Sequence, residues 1–376
     1  MVGTYNDSGI YTVLTPFQFN KGDNLPFYKN VLSIFTTILK RNFEALMAGA
    51  NLYRADDTRQ LASQLNDPNL VEYLLQPEVS HRLLFDHEQL AGADDFFLLT
   101  LSAHLAKKTG KYDSALGSRI WSANGDFLIS SEEDTGNYET YEAPRVAGRV
   151  PIDFFSPCCL GLSAEEIQEG QHTLFDLYSI EEAEQIFTHL EDAVLPLADN
   201  SNFHELICLF NNVLMVKKQQ NPNGKKPFIS GSDGYYIGRT HVMNPDVVSA
   251  EPIAEMFVHE AIHSVLYMLE EHGPWMPGVA DAHRIGISVP SNWSGNRLSI
   301  RSYFQAVFVW FGIWNLWRYA RENNLYNQEW IKKRLQFVTN GFATLNLDDI
   351  RKKYDIRLPD ETVDAVLAAK KIVLEG

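Results

Sequence analysis

Apolar residues recur every three or four positions along much of this chain, which is the spacing that places them on one face of a helix. In the first part of the chain this spacing predicts helices over 24–50, 56–72 and 95–107. Shorter runs that contain β-branched and aromatic residues predict strands over 120–129 and 149–155. Helices and strands together indicate a mixed fold in which helices dominate.

The stretch 130–142, between the two predicted strands, is acidic and rich in turn-forming residues. It holds few large aliphatic side chains, so we predict a loop or mobile flap there. An amino-terminal helical region, 1–145, would end just after this stretch. No linker rich in Pro, Gly or Ser separates it from 146–376, so the two regions can also form one continuous domain.

Helical spacing returns over 163–195, where Ser163 and Glu166 have the spacing of a capping box. It continues over 202–219, and we predict a helix there as well. The run 228–243 has two apolar and aromatic segments on either side of a Gly-Ser-Asp-Gly bend, which predicts a β-hairpin or edge strand.

Two long apolar helices are predicted in the last third of the chain. The first is capped by Ser249 and runs to Glu271, just before a Gly-Pro pair that stops it. The second covers 302–321, which is barely long enough to cross a bilayer and contains Gln305 and Arg318. A buried core helix therefore fits this second segment better than a membrane span.

The chain has 48 acidic residues against 32 Lys and Arg, a formal net charge of −16. Such a charge repels nucleic-acid phosphates and anionic lipid, so we expect neither nucleic acid nor membrane as a partner. Three cysteines, Cys158, Cys159 and Cys208, cannot form a disulfide framework, which favours a reducing cytoplasm. The first residues lack the basic and apolar regions of a signal peptide, so we expect a cytoplasmic protein.

The candidate chemistry lies in the helix that begins after Ser249, where His259 and His263 are four residues apart. On a helix this spacing puts both imidazoles on one face, where a single metal ion can bind both at about 2.0–2.1 Å. Glu260 is rotated about 100° from His259, so it can reach a water or substrate at the metal without being a ligand. That placement suits a general base.

The third metal ligand is not determined by the sequence. Gln305 is polar within an otherwise apolar helix and needs a buried partner, which could be the metal or the backbone. Asp281 and His283 lie in a segment that could fold back to the metal. Glu270 sits at the end of the motif helix, roughly 10 Å along the axis from His263, which makes it a poor candidate.

Three segments in this order resemble the HExxH-type peptide β-hydroxylases of peptide natural-product biosynthesis. They are SGSDGYYIG at 230–238, AEMFVHEAIHSVLYMLE at 254–270 and NWSGNRLSIRSYFQAVFVWFGIW at 292–314. The resemblance implies a metal site at His259, Glu260 and His263 that uses Fe(II) and 2-oxoglutarate. Gln305 stands where these proteins have a histidine. The resemblance therefore implies that residue 305 lies near the metal, but not that its side chain is a ligand.

The resemblance also implies a cationic clamp for the distal carboxylate of 2-oxoglutarate, because arginine binds carboxylates in bidentate fashion. Arg297 and Arg301, which lie just ahead of Gln305, are the expected cofactor-binding residues, and Arg239 is a weaker candidate. The substrate implied is a peptide or an amino-acid-derived small molecule, and a carrier or precursor peptide could present it.

Two other functions remain open. A zinc metallopeptidase would use Zn(II) at the two histidines and Glu260 as general base, with His283 or Asp281 as third ligand. A non-catalytic peptide-binding relative would keep the scaffold after loss of the third strong ligand. Whichever of these functions holds, we predict an α+β fold, predominantly helical with a small β-sheet. In the carboxyl-terminal half, a strand would run beside the His-Glu-x-x-His helix as in zincin-like domains.

Overall fold

The computed structural model describes residues 17, 23–49, 54–85, 95–111, 117, 119–131, 138–161, 178–219, 224, 226–272, 288–356 and 358–376. The fold is α+β and predominantly helical with small sheets, which confirms the predicted fold class. The chain divides into two compact units. The helical unit comprises Met1–Leu32, Pro196–Ile207 and Ala250–Gly376, and the sheet unit comprises Ser33–Leu195 and Cys208–Ser249.

Four of the first five helices in the described residues lie in the ranges predicted from the sequence, whereas the fourth lies between those ranges. The five are α1 (Leu25–Ala48), α2 (Ala55–Ala62), α3 (Asp67–Leu74), α4 (Pro77–Phe85) and α5 (Phe96–Thr109). The single helix predicted over 56–72 is wrong, because α2 and α3 replace it. Asn66 caps α3 by accepting a hydrogen bond from the Asn69 amide at 3.0 Å, and Pro68 cannot continue a preceding helix.

A three-stranded antiparallel sheet of β1 (Arg119–Trp121), β2 (Phe127–Ser131) and β3 (Tyr138–Glu142) corrects two predictions. The single strand expected over 120–129 is a hairpin that turns at Gly125, where φ is +66°. The loop expected over 130–142 ends in β3, whose polar residues pair with β2. An exposed strand needs no apolar alternation, so composition alone misses it.

The other sheet of this unit has five strands in the order β4-β5-β6-β8-β7. They are β4 (Arg145–Val146), β5 (Val150–Asp153), β6 (Val213–Lys217), β7 (Ile229–Gly231) and β8 (Arg239–Met243). The strands β5, β6 and β8 are parallel, while β4 and β7 pair antiparallel at the two edges. The strand expected over 149–155 and the hairpin expected over 228–243 are confirmed.

Helices α6 (Pro157–Leu160), α7 (Ile180–Val194) and α8 (Ser201–Phe210) connect the strands. The helix predicted over 202–219 is correct only as far as Phe210, because Val213–Lys217 is strand β6. This apolar run is buried between two parallel neighbours, where helical spacing and a continuous apolar strand look alike. The capping box observed on α7 is Ser179 with Glu182, and the predicted pair at 163 and 166 lies outside the described residues.

The helical unit contains both long helices predicted for the last third of the chain. Its described elements from residue 250 onward are α9 (Ala250–His272), β9 (Ser288–Pro290), β10 (Arg297–Ser299), α10 (Ile300–Glu322), α11 (Gln328–Thr344), α12 (Leu347–Tyr354) and α13 (Asp360–Glu375). Strand β8 and helix α9 belong to different units, so the zincin-like pairing stays a prediction. Within the described part of the chain, no helix combines the length and apolar character needed to cross a membrane.

Helices α9 and α10 pack closely because α10 has a glycine at their contact. A Cβ atom built on Gly312 would lie 2.3 Å from Cδ1 of Ile262, which is fully buried in α9. Most of α10 is buried, including Phe308 and Trp317. The cap of α10 is Ser299, whose hydroxyl accepts a hydrogen bond from the Ser302 amide at 3.1 Å. The two helices therefore form the core that positions the candidate site.

A second close approach, between Gly341 of α11 and Trp293, gives a stability prediction. A Cβ on Gly341 would lie 2.1 Å from the indole Nε1, which donates to the Val338 carbonyl at 3.1 Å. We expect Gly341→Ala to lower the free energy of unfolding by about 1–3 kcal/mol in a urea titration. Asn340→Ala, at the exposed neighbouring position, should change it by no more than about 0.5 kcal/mol, and equal losses would contradict the prediction.

Candidate metal centre

The candidate site lies on one face of α9, where helical periodicity lines up residues four apart. His259 and His263 follow one another on this face, and their ring centroids are 5.0 Å apart with an interplanar angle of 55°. Tyr267 lies one further turn along the same face, and its ring stacks on that of His263 with the two centroids 5.8 Å apart. Glu260 is buried, with 2% of its surface exposed. The two imidazoles therefore face the same space, and a buried carboxylate lies beside them.

These side chains have the composition and spacing that a metal ion needs. Among the described residues, His259, Glu260 and His263 form a group whose potential ligand atoms all lie within 4.8 Å of one another. Two atoms that each bind one ion at about 2.1 Å are at most about 4.2 Å apart, so small side-chain rotations suffice. The group can therefore hold a metal ion.

The protonation state of the histidines also suits metal binding. Burial lowers the pKa of His259 to about 4, while Glu255 opposes this effect and Arg334 adds to it. Burial likewise lowers the pKa of His263 to about 4, and the neighbouring His259 acts in the same direction. A neutral imidazole is the form that offers a lone pair to a metal. Near neutral pH both rings are in that form.

The lowered pKa values predict that the metal-free protein is less stable in mild acid. Unfolded imidazoles take up a proton near pH 6.5, whereas folded His259 and His263 do so only near pH 4. Between these values the unfolded chain binds more protons, so the free energy of unfolding falls as the pH drops, by at most about 3 kcal/mol per imidazole. Urea midpoints measured with chelator at about pH 7 and about pH 5 test this. A His259→Gln/His263→Gln variant with the same pH dependence would contradict it.

An ion pair flanks the amino-terminal end of this face. The Glu255 carboxylate accepts hydrogen bonds from Nε1 of Trp317 and Nε of Arg334, both at 2.7 Å. The Arg334 guanidinium lies 4.8 Å from the ring centroid of Trp310. The ring of Trp310 meets that of His259 edge to face, with the centroids 6.0 Å apart. Glu255 thus holds Arg334 and its aromatic neighbours next to the histidines.

A chain of three hydrogen bonds flanks the carboxyl-terminal end. Nδ1 of His263 lies 3.1 Å from Oε1 of Gln305, and Nε2 of Gln305 donates to Oε1 of Glu270 at 2.9 Å. The other carboxylate oxygen of Glu270 accepts from Nε of Arg301 at 2.6 Å. Position 305 thus lies beside the histidine pair, but its oxygen faces a ring nitrogen of His263. The role of Gln305 as third metal ligand stays a prediction.

The arginines expected to bind a dicarboxylate are engaged elsewhere. Arg301 is paired with Glu270. Arg297 donates to the hydroxyl and the carbonyl of Ser288, each at 2.7 Å. Arg239 belongs to the sheet unit, where it donates to Glu78. A guanidinium held by protein acceptors is not a ready clamp for a ligand carboxylate. The cofactor-binding roles of these arginines stay predictions.

The alternate ligands Asp281 and His283 lie outside the described residues. Glu255 and Arg334 are site residues that the sequence alone does not indicate, and the position of Glu270 along the helix argues against a role for it. Glu270 is too far along the helix to coordinate the same ion directly, but Gln305 bridges the gap between Glu270 and His263. One feature of the sequence could have indicated Glu255. It lies four residues before His259, a spacing that places both side chains on the same face of α9.

No protein-family model matches this chain, and no curated protein matches it either. The resemblance to peptide β-hydroxylases therefore rests on the three motif segments alone. The side chains on α9 and α10 are then the basis for assigning a function.

Proposed function

We propose that this chain is a mononuclear metal-dependent enzyme that hydroxylates a peptide or an amino-acid-derived substrate. One observation carries the proposal: two imidazoles, one helical turn apart, face the same space beside a buried carboxylate. The net charge of −16 would favour a cationic substrate such as a basic segment of a precursor or carrier peptide.

Each protein group has a distinct role in this proposal. His259 and His263 would hold the ion through ring nitrogens, and Glu260 would accept or donate a proton next to it. Bound Fe(II) would supply dioxygen activation with 2-oxoglutarate as co-substrate, whereas bound Zn(II) would supply a Lewis acid that activates water. The aromatic ring of Trp310 beside His259 would exclude water from one side of the reacting group.

A zinc-dependent peptidase is the second candidate, and one observation favours it. Arg297 and Arg301, which the hydroxylase would use for its co-substrate, already bind Ser288 and Glu270. A hydrolase needs no dicarboxylate clamp, only a metal and a base such as Glu260. A relative that binds peptides without catalysis would need neither metal nor base.

Metal content separates these functions. The protein is purified without chelator, in air and anaerobically with Fe(II), and its iron and zinc are measured per chain. The proposal expects about one iron and the formation of succinate from 2-oxoglutarate with a candidate peptide. Stoichiometric zinc with peptide hydrolysis would support the peptidase instead. Protein that binds neither metal would remove both enzymatic functions.

A further inference from the structure

We propose that Gln305 is a positioning residue that fixes His263 with its proton on Nδ1 and its lone pair on Nε2, the nitrogen left for a metal ion. This inference rests on the proposed metal site and states how the chain would keep one ligand of that site ready. The three hydrogen bonds that join His263, Gln305, Glu270 and Arg301 carry it.

The charges of Arg301 and Glu270 determine which group donates and which accepts at the end of the chain of hydrogen bonds farthest from His263. The Arg301 guanidinium can only donate, and a carboxylate paired with it only accepts. Oε2 of Glu270 takes the hydrogen bond from Arg301, which leaves Oε1 to accept from Gln305 at 2.9 Å. The Gln305 amide must therefore turn its NH2 group toward Glu270 and its oxygen toward His263.

The orientation of the Gln305 amide in turn sets the tautomer of His263. The Gln305 oxygen is an acceptor and lies 3.1 Å from Nδ1, so Nδ1 must be the donor. A neutral imidazole carries one proton, and Nε2 is then free to bind a metal. Metal-binding histidines usually donate their second nitrogen to a carboxylate, a carbonyl or water. In this chain a side-chain amide, oriented by an ion pair, takes that place.

Burial makes these bonds difficult to replace. Gln305 is 2% exposed, and the Glu270 side chain is 6% exposed. Water cannot readily substitute for a missing partner at such positions, so the bonds hold the ring in one orientation. Asn315 provides a matched control, because it is also a buried amide of α10. Its amide donates within the helix, to the Phe311 carbonyl at 2.9 Å.

The first test reads the tautomer directly in metal-free protein. Nitrogen-15 shifts of histidine-labelled protein distinguish protonated from unprotonated ring nitrogens, and a His263→Gln variant assigns the signal. We expect a proton on Nδ1 of His263 in the wild type and a mixture of tautomers in Gln305→Leu. A wild-type ring protonated on Nε2 would overturn the proposal, whether or not the protein binds metal.

The second test measures the zinc dissociation constant by competition with a chromophoric chelator. Gln305→Leu and Glu270→Gln should each weaken binding by about 10–100-fold, the usual effect of removing a partner that orients a ligand. The double variant should be only slightly weaker than either single variant, because both changes act through the same bond to His263. Asn315→Leu should stay within about threefold of the wild type.

The outcomes separate this inference from the proposed function. Wild-type affinity in a folded Gln305→Leu variant would overturn the positioning role. A loss in Gln305→Leu with none in Glu270→Gln would make Gln305 a direct ligand and would also overturn it. If the wild type binds no metal, the proposed function fails, and the tautomer measurement alone decides the inference. Gln305→Asn, which withdraws the amide by one methylene, replaces the leucine variant if that variant does not fold.

Discussion

Replacement of His259 or His263 by alanine is expected to weaken metal binding by roughly 100- to 1000-fold. Structural zinc sites with four ligands bind with about 10–16 kcal/mol, so one ligand contributes about 2.5–4 kcal/mol. Only two imidazoles face the shared space in the part of α9 described, so either loss leaves one histidine there. Metal content after dialysis and the zinc dissociation constant measure the effect.

His272→Ala is the matched control, because His272 is a histidine of the same helix at its exposed end. It should bind metal as the wild type does. Circular dichroism of each variant checks that α9 and its surroundings still fold. A His259→Ala protein that retains one tightly bound ion per chain would refute the assignment of the site.

The second large effect is expected for Glu260→Gln, which should keep the metal and lose turnover by about 100- to 10,000-fold. The amide has nearly the same shape as the carboxylate but cannot accept a proton. Glu260 is 2% exposed and lies within the group that surrounds the proposed ion, so no bulk water would readily take over its role. Steady-state kcat and metal content of the same preparation give the two readouts.

Glu322→Gln serves as the control for this variant. Glu322 lies at the end of α10 and is paired with Arg318 at 3.2 Å on the surface, away from the proton transfer proposed for Glu260. Its replacement should leave kcat and metal content unchanged. Full activity of Glu260→Gln in either the hydroxylase or the hydrolase assay would exclude Glu260 as the proton-transfer group.

The long helices were predictable because their information is local. Helices α9 and α10 each carry apolar residues at helical spacing, and serine precedes both at the cap position. Strand β6 was not predictable in the same way, since its first four residues, Val213 to Val216, are all apolar and fit a buried helix or a buried strand. Its two parallel neighbours decide the outcome, and they are distant in sequence.

The candidate site was likewise predictable where it depends on one helix and unpredictable where it depends on the packing of two. The spacing of His259 and His263 needs only one helix, so the sequence was sufficient to place both rings on one face. Position 305 stood out as a polar residue in an apolar helix, but its partner depends on how α10 packs against α9. The sequence could not show that Gln305 would meet Nδ1 of His263 or that Arg301 would meet Glu270. Charge and nearness in sequence alone suggested a ligand role for that arginine.

The close contact at Gly312 has a consequence for how this protein can diverge. Any side chain at that position must displace Ile262, which directly precedes His263, or move α10 away from α9. Moving the helix would lengthen the contact between Gln305 and His263, although position 312 carries no reactive group. Homologous chains that keep the histidine pair should therefore tolerate exchange of many apolar residues on α10 and still retain glycine here. Selection for the activity of the site would then also preserve the distance between the backbones of α9 and α10 at Gly312.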